Sequence, residues 1–152
     1  MPKFEMEVFL PVSPDQLSSD LFLMSGVNYE LSPIVKMSAP EEWASKSIAH
    51  WPVNEYVFSS IIFLFGFIPI DLHRFKLLSV NSNGFKESSK TLFNSVWSHE
   101  RNILKSDSGA TVRDVVYYKS KIGFLGSLLK PIYHSIFVHR HNRLKLKYAK
   151  IS

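Results

Sequence analysis

Val96-Trp97-Ser98-His99-Glu100-Arg101-Asn102-Ile103-Leu104 leads through Ser106-Asp107-Ser108-Gly109 into Thr111-Val112-Arg113-Asp114-Val115-Val116-Tyr117-Tyr118. Two β-rich runs joined by a short polar turn predict an antiparallel pair, because parallel strands need a much longer crossover. The chain then changes period. Gly123 and Gly126 loosen the entry to a helix, and Pro131 marks its start or a kink. Beyond it Tyr133, Phe137, Leu144 and Tyr148 share one stripe, with Ile132 and Ile136 beside it and His141 falling within it. A helix of ~20 residues is about 30 Å long, enough to cross the concave face of a twisted sheet.

Upstream, further runs extend the sheet. Val57 to Phe65 is β-rich, Gly66 and Pro69 break it, and Leu72 to Val80 resumes. Asn81-Ser82-Asn83-Gly84 is a turn, and Phe85 to Phe93 the next run. At the amino end Phe4, Met6, Val8 and Leu10 alternate with Glu5, Glu7 and Phe9, as in a half-buried strand. Pro11 ends that strand. Ser13-Pro14-Asp15-Gln16 then starts a capped helix carrying Leu17, Leu21 and Met24 on one face, with Gly26 as its stop. Val27 to Tyr56 reads as irregular, and its Trp43, Trp51 and Tyr56 suit either a ligand-facing loop or the edge of the core. The expected architecture is α+β, a curved antiparallel sheet wrapped around a long carboxy-terminal helix, with an apolar pocket left between them.

Composition agrees with a folded chain of one-domain length. With 152 residues, 45% hydrophobic and 20% charged, it can bury roughly 70% of its unfolded surface. The absence of cysteine excludes a disulfide framework and a thiolate metal site. Met1-Pro2-Lys3-Phe4-Glu5 lacks the features of a signal peptide, and the uncharged run Val57 to Ile70 is too short to span a bilayer, so a cytoplasmic location is expected. The net charge of +5 is uneven: no acidic residue follows Asp114, whereas Lys119, Lys121, Lys130, Arg140, Arg143, Lys145, Lys147 and Lys150 do. Such a helix suits solvent and its own dipole, and it also offers peripheral contact with an acidic surface. With few interleaved aromatics, Arg140, Arg143, Lys145 and Lys147 give no clear nucleic-acid signal.

Several stretches together resemble the START-like superfamily, also labelled SRPBCC or polyketide cyclase/dehydrase and lipid transport. They are Phe65-Gly66-Phe67-Ile68-Pro69-Ile70-Asp71, Phe85-Lys86-Glu87-Ser88, Trp97-Ser98-His99-Glu100-Arg101, Thr111-Val112-Arg113-Asp114 and Phe137-Val138-His139-Arg140-His141-Asn142-Arg143-Leu144. The resemblance implies a helix-grip fold, one ligand-binding domain over residues 1–152, and a hydrophobic cavity between sheet and helix. That superfamily includes carriers, receptors and enzymes, so fold does not choose the activity.

Candidate site residues come from strand and helix periodicity. Trp97, His99, Arg101 and Ile103 point the same way on an extended strand, so on the concave face Trp97 and Ile103 would flank two polar groups. Closing the hairpin around Asp107 sets Asp114 opposite Glu100 or Arg101, where it can pair with Arg101 or orient His99. His99, Arg101 and Asp114 are therefore the catalytic candidates, with His99 as acid or base and Arg101 stabilising an enolate or binding a carboxylate. A structural ion pair tying adjacent strands fits the same residues. Phe137 and His141 can reach the cavity from the helix. His139 and His141, two apart, diverge and make poor joint metal ligands. Asp71 with His73 reads as a turn and strand edge. No metal or cofactor is expected. Three functions fit: a carrier of a lipid-like or aromatic molecule, a cyclase or dehydratase, and an interaction module using the basic helix.

Overall fold

The computed structural model describes residues 2–149, so Met1 of the amino-terminal run and Lys150 of the cationic tail lie outside the described residues. Strand β1 (Lys3–Leu10) buries Phe4, Val8 and Leu10 and exposes Glu5, Glu7 and Phe9, the alternation its sequence predicts. Helix α1 (Pro14–Leu21) follows, its amino end capped by Ser13, whose Oγ accepts the Gln16 N–H at 3.2 Å.

Gly26 does not stop this helix. Helix α1 ends at Leu21, and Gly26 lies inside a second helix, α2 (Met24–Leu31). A Cβ on Gly26 would sit 2.2 Å from the Asp20 carbonyl oxygen, so glycine is there to let α2 pass close to the end of α1. The segment read as irregular thus opens with a helix. It continues as β2 (Val35–Met37), a short helix α3 (Glu41–Ala44) and a 3-10 turn at Ile48–His50.

The meander follows as β3 (Tyr56–Leu64), β4 (Ile68–Asn81), β5 (Gly84–Thr91), β6 (Asn94–Ser106) and β7 (Gly109–Ser120). All neighbours are antiparallel, in the order β1-β7-β6-β5-β4-β3-β2, so the first strand returns beside the last. Helix α4 (Leu125–Tyr148) packs against α2, β1 and β7 and closes the curled sheet. Pro131 lies inside α4 rather than at its start. Its missing N–H leaves the Ser127 carbonyl unpaired within the helix, but both residues are exposed and water can satisfy it. This is the α+β helix-grip architecture expected from the sequence.

One end of the enclosed space is packed solid. Leu10, Leu17, Leu21, Ile103, Val112, Leu144 and Tyr148 belong to its main apolar cluster. The Tyr148 hydroxyl donates to Asp20 at 2.6 Å, and burial beside that carboxylate pushes the phenol far above its usual range. The other end is left open.

Candidate ligand cavity

Between the concave face, α2 and α4 lies a cavity of about 480 Å³, within the range of small-molecule sites. Helix α4 supplies Leu129, Ile132, Tyr133, Ile136, Phe137 and Arg140, which recur at the helical spacing of three and four. Phe75, Leu77, Phe85 and Trp97 come from the sheet, and Met24, Val27 and Leu31 from α2. Trp51, from the segment read as irregular, is buried in the side wall, with its ring 5.3 Å from Phe58 and 5.7 Å from Phe75. Exposed Ile70, Phe93 and Ile132 mark the mouth.

A polar band crosses the apolar wall. His73 on β4 donates from Nε2 to Glu87 on β5, and Ser89 Oγ donates to the same carboxylate oxygen at 2.6 Å. His99 on β6 presents Nδ1 to the other Glu87 oxygen at 3.7 Å and donates from Nε2 to Asp114 Oδ1 at 2.7 Å. Behind His99 lies a fully buried network. Arg101 reaches Asp114 through Nε and one terminal nitrogen, and Glu30 of α2 through both terminal nitrogens, all at 2.8 Å. His141 Nε2 donates to Asp114 Oδ2 at 2.7 Å, and Arg140 Nε to Glu30 Oε1 at 3.0 Å. Strand register makes this possible, since Arg101 stands directly opposite Asp114.

Burial alone would raise all three carboxyls. The adjacent His73 and its hydrogen bond, with His99 3.7 Å away, outweigh it at Glu87 and hold that group far below its usual range. Arg101, with hydrogen bonds from itself, His141 and His99, does the same for Asp114. Arg101 and Arg140 outweigh burial at Glu30 and lower it. Asp114 accepts four hydrogen bonds and Arg101 donates four, so neither has much capacity left for a substrate. Arg140 differs. It lines the cavity, and its two terminal nitrogens make no hydrogen bond among the described residues.

Of the residues singled out from sequence, Trp97, His99 and Phe137 stand on the cavity wall. Arg101, Asp114 and His141 are gathered directly behind it, and Ile103 belongs to the solid core below. His73 is no strand-edge residue: it is buried in mid-strand, and Asp71 Oδ1 accepts the N–H groups of Leu72 and Leu92. His73, Glu87, Glu30 and Arg140 escaped the sequence reading. Period two carries a signal for the first two, since His73 shares a face with Phe75 and Glu87 with Phe85. Arg140 sits three after Phe137, a stripe position that its basic neighbours obscured. Glu30 was hidden by reading Gly26 as a stop.

The match to a family model described as a domain of unknown function, DUF8410, covers residues 8–148. The chain belongs to the DUF8410 family. No curated protein matches its sequence. Among solved structures, the DUF8410 chain is similar to protein CV1439 from Chromobacterium violaceum, at 9% identity and a TM-score of 0.72, over 99% of this chain and 98% of that one. A START superfamily protein from Mycobacterium smegmatis aligns at 7% identity and a TM-score of 0.67, over 99% of each chain. Ara h 8.0201 aligns at 12% identity and a TM-score of 0.58, over 94% and 97%. The START-like resemblance read from the sequence is therefore a likeness of fold.

In this DUF8410 chain the basic helix is only partly a solvated surface. Arg140 is buried on Glu30, and Arg143 Nε donates to the Tyr29 carbonyl while its guanidinium lies 4.2 Å from the Tyr29 ring centre. Lys145 and Lys147 stay exposed. No helix among the described residues is long and apolar enough to cross a membrane.

Proposed function

We propose that the protein binds and carries an amphipathic small molecule, acting as one ligand-binding domain over residues 1–152. The observation that carries this reading is the composition of the cavity wall: aromatic and aliphatic side chains, interrupted by the band of His73, Glu87, His99 and Arg140 and by Asp71 near the mouth. An apolar body would lie along Phe75, Trp97 and Phe137. A single oxygen-bearing group would accept from the terminal nitrogens of Arg140. Carriage is favoured over cyclase or dehydratase chemistry because Arg101 and Asp114 are consumed by each other, Glu30 and two histidines. A group already holding its full set of partners cannot trade protons with a substrate without breaking the network.

The test is native mass spectrometry on protein purified without detergent, paired with titration of the fluorescent apolar probe N-phenylnaphthylamine. A discrete adduct lost on denaturation, and saturable probe uptake that displaces it, are expected. A clean unliganded mass together with no saturable uptake would sink the carrier reading.

A further inference from the structure

We propose that the rim of the cavity mouth is a docking surface for an anionic lipid bilayer, with the β3–β4 hairpin tip and the start of α4 entering the apolar layer. The proposal rests on the carrier reading in taking the mouth as the route of the ligand.

Three segments make the rim, and hydrogen bonds tie them together. The Leu92 N–H donates to Asp71 Oδ1 at 2.9 Å, joining the β5–β6 turn to the start of β4. The Lys121 N–H donates to the Phe93 carbonyl at 2.8 Å, joining the β7–α4 connection to the same turn. Each segment turns large apolar groups to solvent. Phe65 and Phe67 at the hairpin tip are 61% and 71% exposed, Phe124 and Leu128 at the start of α4 are 72% and 61% exposed, and Leu92 and Phe93 lie exposed between them. Exposed apolar groups on three hydrogen-bonded segments beside one mouth are unlike the scattered exposed residues of an ordinary surface.

The hairpin tip adds an independent sign. Phe65 and Gly66 have φ of 55° and 86°, and the Phe67 N–H closes the turn on the Leu64 carbonyl at 3.2 Å. Such primed turns favour Asn-Gly, because a bulky side chain is strained at positive φ. Here phenylalanine occupies that position and buries little of itself, so stability does not account for it. Strain retained at an exposed apolar tip points to an external apolar partner.

Charge selects a bilayer over a protein groove or a second copy of the chain. Residues 61–71, 90–95 and 119–132 contain one acidic residue, Asp71, half-buried and engaged by two backbone N–H groups. The same segments carry exposed Lys90, Lys119, Lys121 and Lys130. Phenylalanines among unopposed lysines suit acyl chains beneath anionic headgroups, and the lysines would repel an identical surface.

Cosedimentation with vesicles of phosphatidylcholine alone, and of equimolar phosphatidylcholine and phosphatidylglycerol, tests this. Wild type should bind the anionic vesicles more tightly, and added salt should weaken that preference. The double variant Phe65→Asn, Phe67→Ser should lose about tenfold or more in partitioning. Asparagine is at home at positive φ, so misfolding cannot explain the loss, and probe uptake in solution should stay unchanged because neither residue lines the cavity. Lys121→Glu with Lys130→Glu should remove the anionic preference. The proposal is overturned if wild type binds neither vesicle or if the hairpin variant binds like wild type. It is also overturned if, in analytical ultracentrifugation, that variant abolishes a wild-type dimer. Lost probe uptake with intact vesicle binding would sink the carrier reading alone.

Discussion

His99 joins the cavity to the buried network, one ring nitrogen facing Glu87 on the wall and the other held by Asp114 behind it. The buried carboxylates around it tie stability to pH. Glu30, Glu87 and Asp114 all titrate below their ordinary values of 4.5, 4.5 and 3.8. Because the folded values are depressed, the stability these groups contribute is fully present above the unfolded values and is lost as pH falls. Below about pH 4 the unfolded chain binds protons that the folded chain refuses, and with three such groups the slope approaches about 4 kcal/mol per pH unit. Urea unfolding from neutral pH downward should show a plateau and then this steep decline. A slope of one proton or fewer would mean that the three carboxylates are not ionised together in the fold. Phe65 makes a prediction of the opposite sign. Its positive φ and high exposure mean that Phe65→Asn relieves strain and gives up little burial, so thermal unfolding should show a gain of about 1 kcal/mol. An unchanged or lower Tm would contradict the strain argument.

At the scale of elements, α2 couples the network to the cavity. It carries Glu30 into the Arg101 and Arg140 pairs while Met24, Val27 and Leu31 line the wall. Gly26→Ala would place a methyl group 2.2 Å from the Asp20 carbonyl, so α2 must shift away from α1. The expected cost is about 1–3 kcal/mol in denaturant unfolding, and probe affinity should change with it because the wall moves. Stability and uptake both at wild-type levels would show that the close approach matters to neither. The same helix shows why some elements were legible and others not. The strands announced themselves because alternation and turn residues act locally, and Arg101 met Asp114 because hairpin register follows from turn position. Helix α2 was hidden because its glycine answers to Asp20 at the end of the preceding helix rather than to its own backbone. Arg140 was hidden because a guanidinium in a basic run looks solvated until the facing Glu30 is known.

For the whole molecule, one enclosed space is divided into a packed half and an open half, and the open half should register its occupant. Side chains that face an unfilled cavity forfeit dispersion contacts, so the unliganded fold holds less stability than its buried area suggests. A molecule that fills it stabilises the fold by mass action. At about 100 times Kd the gain is about 2.7 kcal/mol, which for a chain of this length is roughly 5–10 °C in Tm. Val27→Trp separates filling from chemistry, because Val27 lines the cavity from α2 and takes no part in the ionic network. Indole bulk there should occupy the space from within, so scanning calorimetry should show little response of this variant to N-phenylnaphthylamine while wild type rises in Tm. If wild type and Val27→Trp rose equally, the probe would be binding elsewhere, and the cavity would lose its claim to be the ligand site. If only wild type rose, the unfilled half of the core would be the part of the fold that stability alone does not explain.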